Sequence, residues 1–350
     1  YDWIAAGGGG ADLYAAETTG SSAPSAGGTR SLAIGSGASS AGSEAIAIGV
    51  GADAQGGSSV AIGDGAVAGT YSVSIGWGTA DIGSNNTLIG RISTSSYRQQ
   101  QTIIGYNADG GDYQTGNTAV GFDAKAMGNY STALGQSYAS GQYSFAAAIA
   151  SNSSSYGAQQ TSSIAIGKQA KATGAYGTAI GEATQATASN SVCMGYYSQA
   201  TGQGSLAFGY DTQATGLQST AIGLAARNPI NGSFKFAGGK HQTSGDSQTG
   251  IFPLLAETTD ATATAMVTYH NNSATASTDN QVILPNNSAY FFSGTIIARE
   301  QASAGTDVGA WEIKGAIRRE ANAASTVLVK STIDDFNVPT GWAVALTADT

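Results

Sequence analysis

A large apolar residue followed by glycine recurs along the first two thirds of the chain at an almost fixed interval. The pairs are Ile34-Gly35, Ile48-Gly49, Ile62-Gly63, Ile75-Gly76, Ile89-Gly90, Ile104-Gly105, Val120-Gly121, Leu134-Gly135, Ile166-Gly167, Ile180-Gly181, Met194-Gly195, Phe208-Gly209 and Ile222-Gly223. With Ile149-Ala150 read as a copy that has lost its glycine, fourteen copies follow at spacings of 13 to 17 residues, most of them 14. A fixed short period of this kind is the signature of a solenoid. Helices are excluded, because glycine at every turn among Ser, Thr and β-branched residues opposes them throughout. The chain holds 50 Gly but only 5 Pro in 350 residues, so collagen is excluded too.

Strands can use the pattern. In each copy the residue three places before the glycine is apolar or Thr, the residue one place before is large and apolar, and the two share one face of a strand. The residue between them is Ala33, Ala47, Ala61, Ser74, Leu88, Ile103, Ala119, Ala133, Ala148, Ala165, Ala179, Cys193, Ala207 or Ala221, a row without a single charge. A second half follows with small residues and another turn glycine, as in Ala38, Ser40 and Gly42 or Ala170, Ala172 and Gly174. Two short strands and two turns make one coil of a parallel β-solenoid, and fourteen coils stacked about 4.8 Å apart give a rod of roughly 65 Å. The large residues are expected inside and the small row outside. An outward row this free of charge predicts a second buried face, formed against other copies of the chain at Ala33, Ala47, Ala61, Ala133, Ala165, Ala179, Cys193, Ala207 and Ala221.

The copies Ser31-Leu-Ala-Ile-Gly-Ser-Gly-Ala-Ser-Ser-Ala-Gly42 and Ser59-Val-Ala-Ile-Gly-Asp-Gly-Ala-Val-Ala-Gly69 resemble the head repeats of trimeric autotransporter adhesins, the YadA-like left-handed β-roll. The resemblance implies a homotrimer with the alanine row towards the threefold axis. Such repeats also occur in bacteriophage tail fibres.

After Gly223 the period is expected to stop. The sequence divides into a Gly-rich linker or preceding coil (1–30), the repeats (31–223), a neck (224–250) and a C-terminal β-sandwich-like module (251–350). Seven alternating runs suggest a small antiparallel β-domain there: Ile251 to Glu257, Ala263 to Tyr269, Gln281 to Leu284, Tyr290 to Glu300, Ala310 to Arg319, Thr326 to Lys330 and Trp342 to Leu346. Tyr290, Phe291, Phe292, Trp311 and Trp342 are its expected core. Phe236-Ala-Gly-Gly239, Gly245-Asp246, Thr258-Thr-Asp-Ala-Thr262, Asn280-Gln-Val-Ile-Leu-Pro-Asn-Asn-Ser288, Gly315-Ala-Ile-Arg-Arg319 and Gly341-Trp342 resemble a module at the ends of tailed-phage fibres. That resemblance implies a virion tail fibre, extracellular, which meets a bacterial cell-surface receptor, glycan or protein, and other virion tail proteins. It also implies that the module continues past Thr350. The alternatives are the head of a bacterial surface adhesin and a purely structural fibre whose tip lies elsewhere.

Fourteen Lys and Arg against 23 Asp and Glu give a net charge of −9, and Arg318-Arg319 is the only cationic cluster, so a nucleic-acid partner is not expected. No apolar run reaches the length of a membrane span, so no membrane insertion is expected in this segment. Two histidines, His241 and His270, and one cysteine support neither metal nor triad chemistry; no cofactor and no enzymatic activity are expected. Gly49-x-Gly51-x-x-Ala54 imitates a dinucleotide fingerprint but recurs with the coil period, and Asp334-Asp335 reads as a solvated turn. Surface function is expected at breaks in the period, around Arg91 to Gln101, Tyr106 to Gly116 and Ser151 to Ser163. Tyr97, Arg98, Tyr106, Tyr113 and Tyr156 there combine ring faces with hydrogen-bonding groups, which suits carbohydrate or protein partners.

Overall fold

A computed structural model describes residues 22–91, 97–148, 155–260, 262–269, 275–301 and 306–348. The 1–30 segment therefore falls largely outside the described residues, as do Ile149-Ala150, His270 and parts of two of the three loop segments.

The protein is an all-β parallel solenoid followed by a small antiparallel sheet. Strands of three to five residues, beginning with Leu32–Ile34, Ile46–Ile48 and Val60–Ile62, pair in parallel and in register, one per coil. Among the described residues this ribbon has fifteen parallel rungs. A second ribbon of two-residue strands runs beside it in two blocks, Ser25–Ala26 to Val67–Ala68 and Lys125–Ala126 to Arg227–Asn228. Between the blocks only isolated bridges continue the ladder, such as Val67 with Ala80 and Asp109 with Lys125.

The repeat glycine is required by space as well as by backbone angle. Gly35 has φ +121, and a Cβ there would stand 2.5 Å from the carbonyl oxygen of Gly49 in the next coil. The copy that lacks glycine lies two residues earlier than expected: Leu134 pairs with Ala147, so Ala148, with φ 55, takes the glycine position and Ala146 the small inward one.

The sidedness of the coil is the reverse of the sequence expectation. Ala33, Ala47, Ala61, Ala133, Ala165, Ala179, Cys193, Ala207 and Ala221 have no exposed surface within a single chain, and they fill the inside of the coil. They cannot supply the side chains of an interface between copies. Leu32 and Ile34, with their equivalents along the ribbon, point out and are half-buried. Coil width decides this. Fourteen residues folded into two strands and two turns leave an interior that admits only Ala and Ser, so the large side chains are displaced outward. In several coils the inward Ser closes its own turn: Ser31, Ser59, Ser191 and Ser219 each donate to the carbonyl three residues earlier, at 2.6 to 2.8 Å.

Where the period lengthens, larger residues enter. Leu88 and Ile103 stand in the alanine row, and Asn86, Gln101 and Asn117 stand in the serine row, all completely or almost completely buried. Their amides replace the missing backbone ladder. Asn86 Nδ2 donates to Asp81 Oδ1 at 2.9 Å, Gln101 Nε2 donates to the Gln114 carbonyl at 2.9 Å, and Asn117 Nδ2 donates to the Ala126 carbonyl at 2.8 Å.

The solenoid also runs one coil past Gly223. Phe234–Ala237 pairs with Thr220–Gly223 as the last parallel rung, inside the segment expected to be a neck. Two inward alanine positions change there, to Asn228 and Lys235. Thr249–Ile251 then pairs antiparallel with that rung and ends the stack.

The terminal unit is one three-stranded antiparallel sheet, Ser288–Arg299, Val308–Arg319 and Val327–Asn337, and not a sandwich of short strands. Of the expected core, Trp311 is buried, Tyr290, Phe292 and Trp342 are half-buried, and Phe291 is 76% exposed. Asp334 and Asp335 lie within the last strand, opposite Glu312 and Trp311, and are not in a turn.

Candidate binding surfaces

Strand alternation gives the rod two unlike flat faces. The first-strand face is apolar: the position before the glycine is a large hydrophobe in fourteen of the fifteen rungs, Ala147 excepted, and Leu134, Ile164 and Phe208 on this face are 37 to 47% exposed. The second-strand face is mostly polar, presenting Asp53, Lys125, Lys171, Gln185, Gln199 and Gln213 outward beside Val67 and Tyr138, while Ala54, Ala126, Ala172, Ala186, Ala200 and Ala214 point in.

Rows of side chains run along the turns between the faces. The residue after the repeat glycine is Trp77, Arg91, Tyr106 and Phe122 in four successive coils. The Arg91 guanidinium lies 4.7 Å from the centroid of Trp77 and 5.6 Å from that of Tyr106, and its Nη1 donates to the Tyr106 hydroxyl at 3.0 Å. Tyr106 and Phe122 stack at 5.7 Å with 5° between their planes. In the opposite turn Tyr130 and Tyr143 stack at 5.3 Å. Further along, Tyr196 stacks on Tyr210 at 5.1 Å, with Tyr197 edge-on to Tyr196 at 4.5 Å. Lys168 donates to Glu182 at 3.0 Å one coil away, and that hydrogen bond, then the Glu182 charge, holds the ammonium above its ordinary value. Burial, followed by the neighbouring Tyr197 and Glu182, raises the Tyr196 phenol. In these stacks the rings cover one another's faces, leaving edges and hydroxyls to solvent. They brace adjacent coils.

The surface residues expected from the sequence divide. Tyr97, Tyr106 and Tyr113 are exposed, and Tyr106 belongs to the Trp77–Phe122 stack. Arg98 is a correction: its side chain has no exposed surface and points into the coil, where Nη2 meets Asp109 at 2.9 Å and Asp112 at 3.6 Å. Nε and Nη1 of Arg98, Oδ2 of Asp81 and Oε1 of Gln101 have no partner there. Tyr156 is also a correction, being half-buried against the alanine core. Trp77, Phe122, Tyr196 and Tyr210 join Arg91 and Tyr106 on this surface although no break in the period marks them. All share one offset from the repeat glycine, so aligning the copies exposes them as a row.

Cys193 is a free, buried thiol on the interior row, pushed up to about 12 by burial. At the end of the rod Arg227 grips Asp211 through both carboxylate oxygens at 2.9 Å and through its carbonyl. Asp246 accepts the backbone N–H groups of Gln242, Thr243 and His241 at 2.6 to 2.9 Å, and these hold its carboxyl down to about 2. Among the described residues no three His, Cys, Asp or Glu side chains converge as a metal site, and no helix is long and apolar enough to cross a membrane.

The YadA head domain repeat (2 copies) matches residues 26–52, 54–79, 118–137, 158–181, 172–198 and 200–226, about two fifths of the chain. These stretches are YadA-like β-roll repeats. The gap at 80–117 coincides with the coils whose interiors hold Asn86, Leu88, Arg98, Gln101 and Ile103. No curated protein matches the chain.

Proposed function

We propose that the chain is a non-enzymatic attachment fibre in which three copies associate through the first-strand face and carry their terminal sheets to a host cell surface. The observation that carries this reading is the outward row Ile34, Ile48, Ile62, Ile75, Ile89 and Ile104, only half-buried over six consecutive rungs. An apolar strip of that length on a rod needs cover, and three rods that turn their strips inward cover all of them at once. The YadA-like repeats support the same arrangement. The resemblance of Asn280 to Ser288 and Gly315 to Arg319 to phage-fibre ends favours a virion tail fibre over a bacterial adhesin. Three identical tips on one rod convert weak contacts into firm attachment through effective concentration.

Sedimentation and cell adsorption test this together. Ile48→Lys with Ile62→Lys leaves the alanine interior intact, and is expected to weaken association, to lower the denaturation midpoint and to reduce adsorption to host cells. A wild-type chain that sediments as a monomer contradicts the association. Adsorption that follows an outer-membrane β-barrel anchor in the full-length gene product assigns the chain to a bacterial surface instead.

A further inference from the structure

Four consecutive coils carry one polar pattern on the second-strand face: Lys171-Ala-Thr173, Gln185-Ala-Thr187, Gln199-Ala-Thr201 and Gln213-Ala-Thr215. The strands pair in register, Lys171 with Gln185, Gln185 with Gln199 and Gln199 with Gln213. Backbone bonds from Thr173, Thr187, Thr201 and Thr215 to the next coil, at 2.9 to 3.1 Å, extend that register to the threonines. The alanines between them point inward, so the polar side chains form two parallel rows on a flat face. Neighbours lie about 4.8 Å apart along the rod and roughly 6.6 Å apart across it.

Among the described residues none of these eight side chains takes a hydrogen-bond or ion-pair partner. This sets the strip apart from the turn rows, where Lys168 meets Glu182, Asn107 meets Asp123 and Arg91 meets Tyr106. Each rung from Gln185 to Thr215 therefore offers an amide, with two donors and an acceptor with two lone pairs, and a hydroxyl able to do both. No carboxylate and no large hydrophobe stands among them. A second copy placed here would bury three unsatisfied amides, a cost that the apolar face on the first strands avoids.

We infer that the strip from Gln185 to Thr215 binds an extended, uncharged polysaccharide lying along the rod. Such a polymer is dense in hydroxyls that donate and accept, carries no charge to be matched, and repeats at a step close to the rung spacing when its sugars are β-1,4-linked. Successive sugars meet successive amide and hydroxyl pairs, so individually weak contacts add along the chain. The inference rests on the reading of the protein as an attachment fibre and names the chemistry of one contact surface. An ice lattice is a poorer fit, because glutamine side chains with three rotatable bonds do not hold a rigid array.

Affinity electrophoresis of the full chain in gels containing hydroxyethyl cellulose, galactomannan or alginate tests the strip. The two neutral polymers are expected to retard the wild type and anionic alginate not to. Gln185→Ala, Gln199→Ala and Gln213→Ala together are expected to weaken retardation at least about tenfold, as is the near-isosteric set Thr187→Val, Thr201→Val and Thr215→Val, with thermal midpoints unchanged. Tyr130→Ala, in a turn row, is expected to bind like wild type. The inference is overturned if neither neutral polymer retards the wild type, if the glutamine variant is retarded equally, if that variant changes sedimentation, or if the wild type shows thermal hysteresis of ice. Unchanged host-cell adsorption by the glutamine variant, with no retardation of the wild type, removes the strip but leaves the attachment fibre standing. Loss of adsorption only in the Ile48→Lys, Ile62→Lys protein separates the two in the same way.

Discussion

Lys235 places a cation where the preceding coils place Ala207 and Ala221, and its replacement by methionine should stabilise the end of the rod. The residue is 3% exposed, its nitrogen lies 5.9 Å from the ring centroid of Phe252, and no carboxylate pairs with it among the described residues. Burial pushes its ammonium down from 10.5 to about 8. A fall of that size corresponds to about 3 kcal/mol of preference for the neutral form. Relative to a neutral side chain, the folded state bears that cost in full below pH 8, where both states hold the proton. Between pH 8 and 10.5 the folded state releases its proton first, so stability rises with pH across that window and the cost is gone above it. Lys235→Met keeps an unbranched stem of similar volume and removes the charge. Hydrogen exchange of the Phe234–Ala237 and Thr249–Ile251 amides should show local unfolding costing up to about 3 kcal/mol more in the variant at pH 7. Denaturant unfolding at pH 10.5 should show no difference. A variant that is less stable at pH 7, or a gain that persists unchanged at pH 10.5, refutes the assignment of an unpaired buried charge.

Three further substitutions probe the interior and the loop at its end. Arg98→Met should lower the unfolding free energy by less than about 1 kcal/mol or raise it, because it removes two unsatisfied donor nitrogens and leaves Asp109 and Asp112 within reach of water; Arg98→Ala, which opens a cavity at the same place, should cost roughly 2 to 4 kcal/mol. Cys193, held near 12 and sealed inside the coil, should react with a thiol reagent only after denaturation, and Cys193→Ala should be silent in thermal melting. Asp246 has a carboxyl depressed from 3.8 to about 2 by three backbone N–H groups, so its contribution to the 241–246 loop is complete above pH 4 and lost as pH falls through 2. Loop amide chemical shifts should follow that titration, and Asp246→Asn should abolish it.

The period, the parallel strands and the need for glycine at positions such as Gly35 were legible because each follows from spacing or backbone sterics. The orientation of the coil was not. Alternation separates Leu32 and Ile34 from Ala33 but does not say which set points in, and the usual preference for large residues inside fails when the interior is one alanine wide. The conversion at Asn86, Gln101 and Asn117 was visible as a change at the serine position, and its meaning needed the enlarged coils around Leu88 and Ile103. Arg98 looked like a surface residue because it sits in an irregular segment beside exposed Tyr97. In the terminal unit the alternating runs Tyr290 to Glu300 and Ala310 to Arg319 coincide with strands Ser288–Arg299 and Val308–Arg319 to within two residues. The runs Gln281–Leu284 and Trp342–Leu346 form none, since short alternating stretches carry no information about whether a neighbouring strand is available.

An interior of alanine changes what holds such a rod together. Burying a methyl yields far less than burying the side chain of Ile or Leu, which is worth about 1.5 to 3 kcal/mol, whereas fixing each residue of a coil still costs about 1 to 2 kcal/mol. Backbone ladders satisfy the polar groups of each coil without supplying the missing driving force. The large residues that would supply it, Ile34 and Ile48 through Ile222, lie on the outside and are only half-covered by their own chain. In the proposed fibre their remaining burial comes from association. In that arrangement the first-strand face is the one covered by other copies, and the second-strand face with its Gln and Thr rows stays open to solvent. Folding and assembly should therefore occur together, with denaturation midpoints that rise with protein concentration, and a midpoint independent of concentration over a hundredfold range would show that the single coil stack is stable without its neighbours.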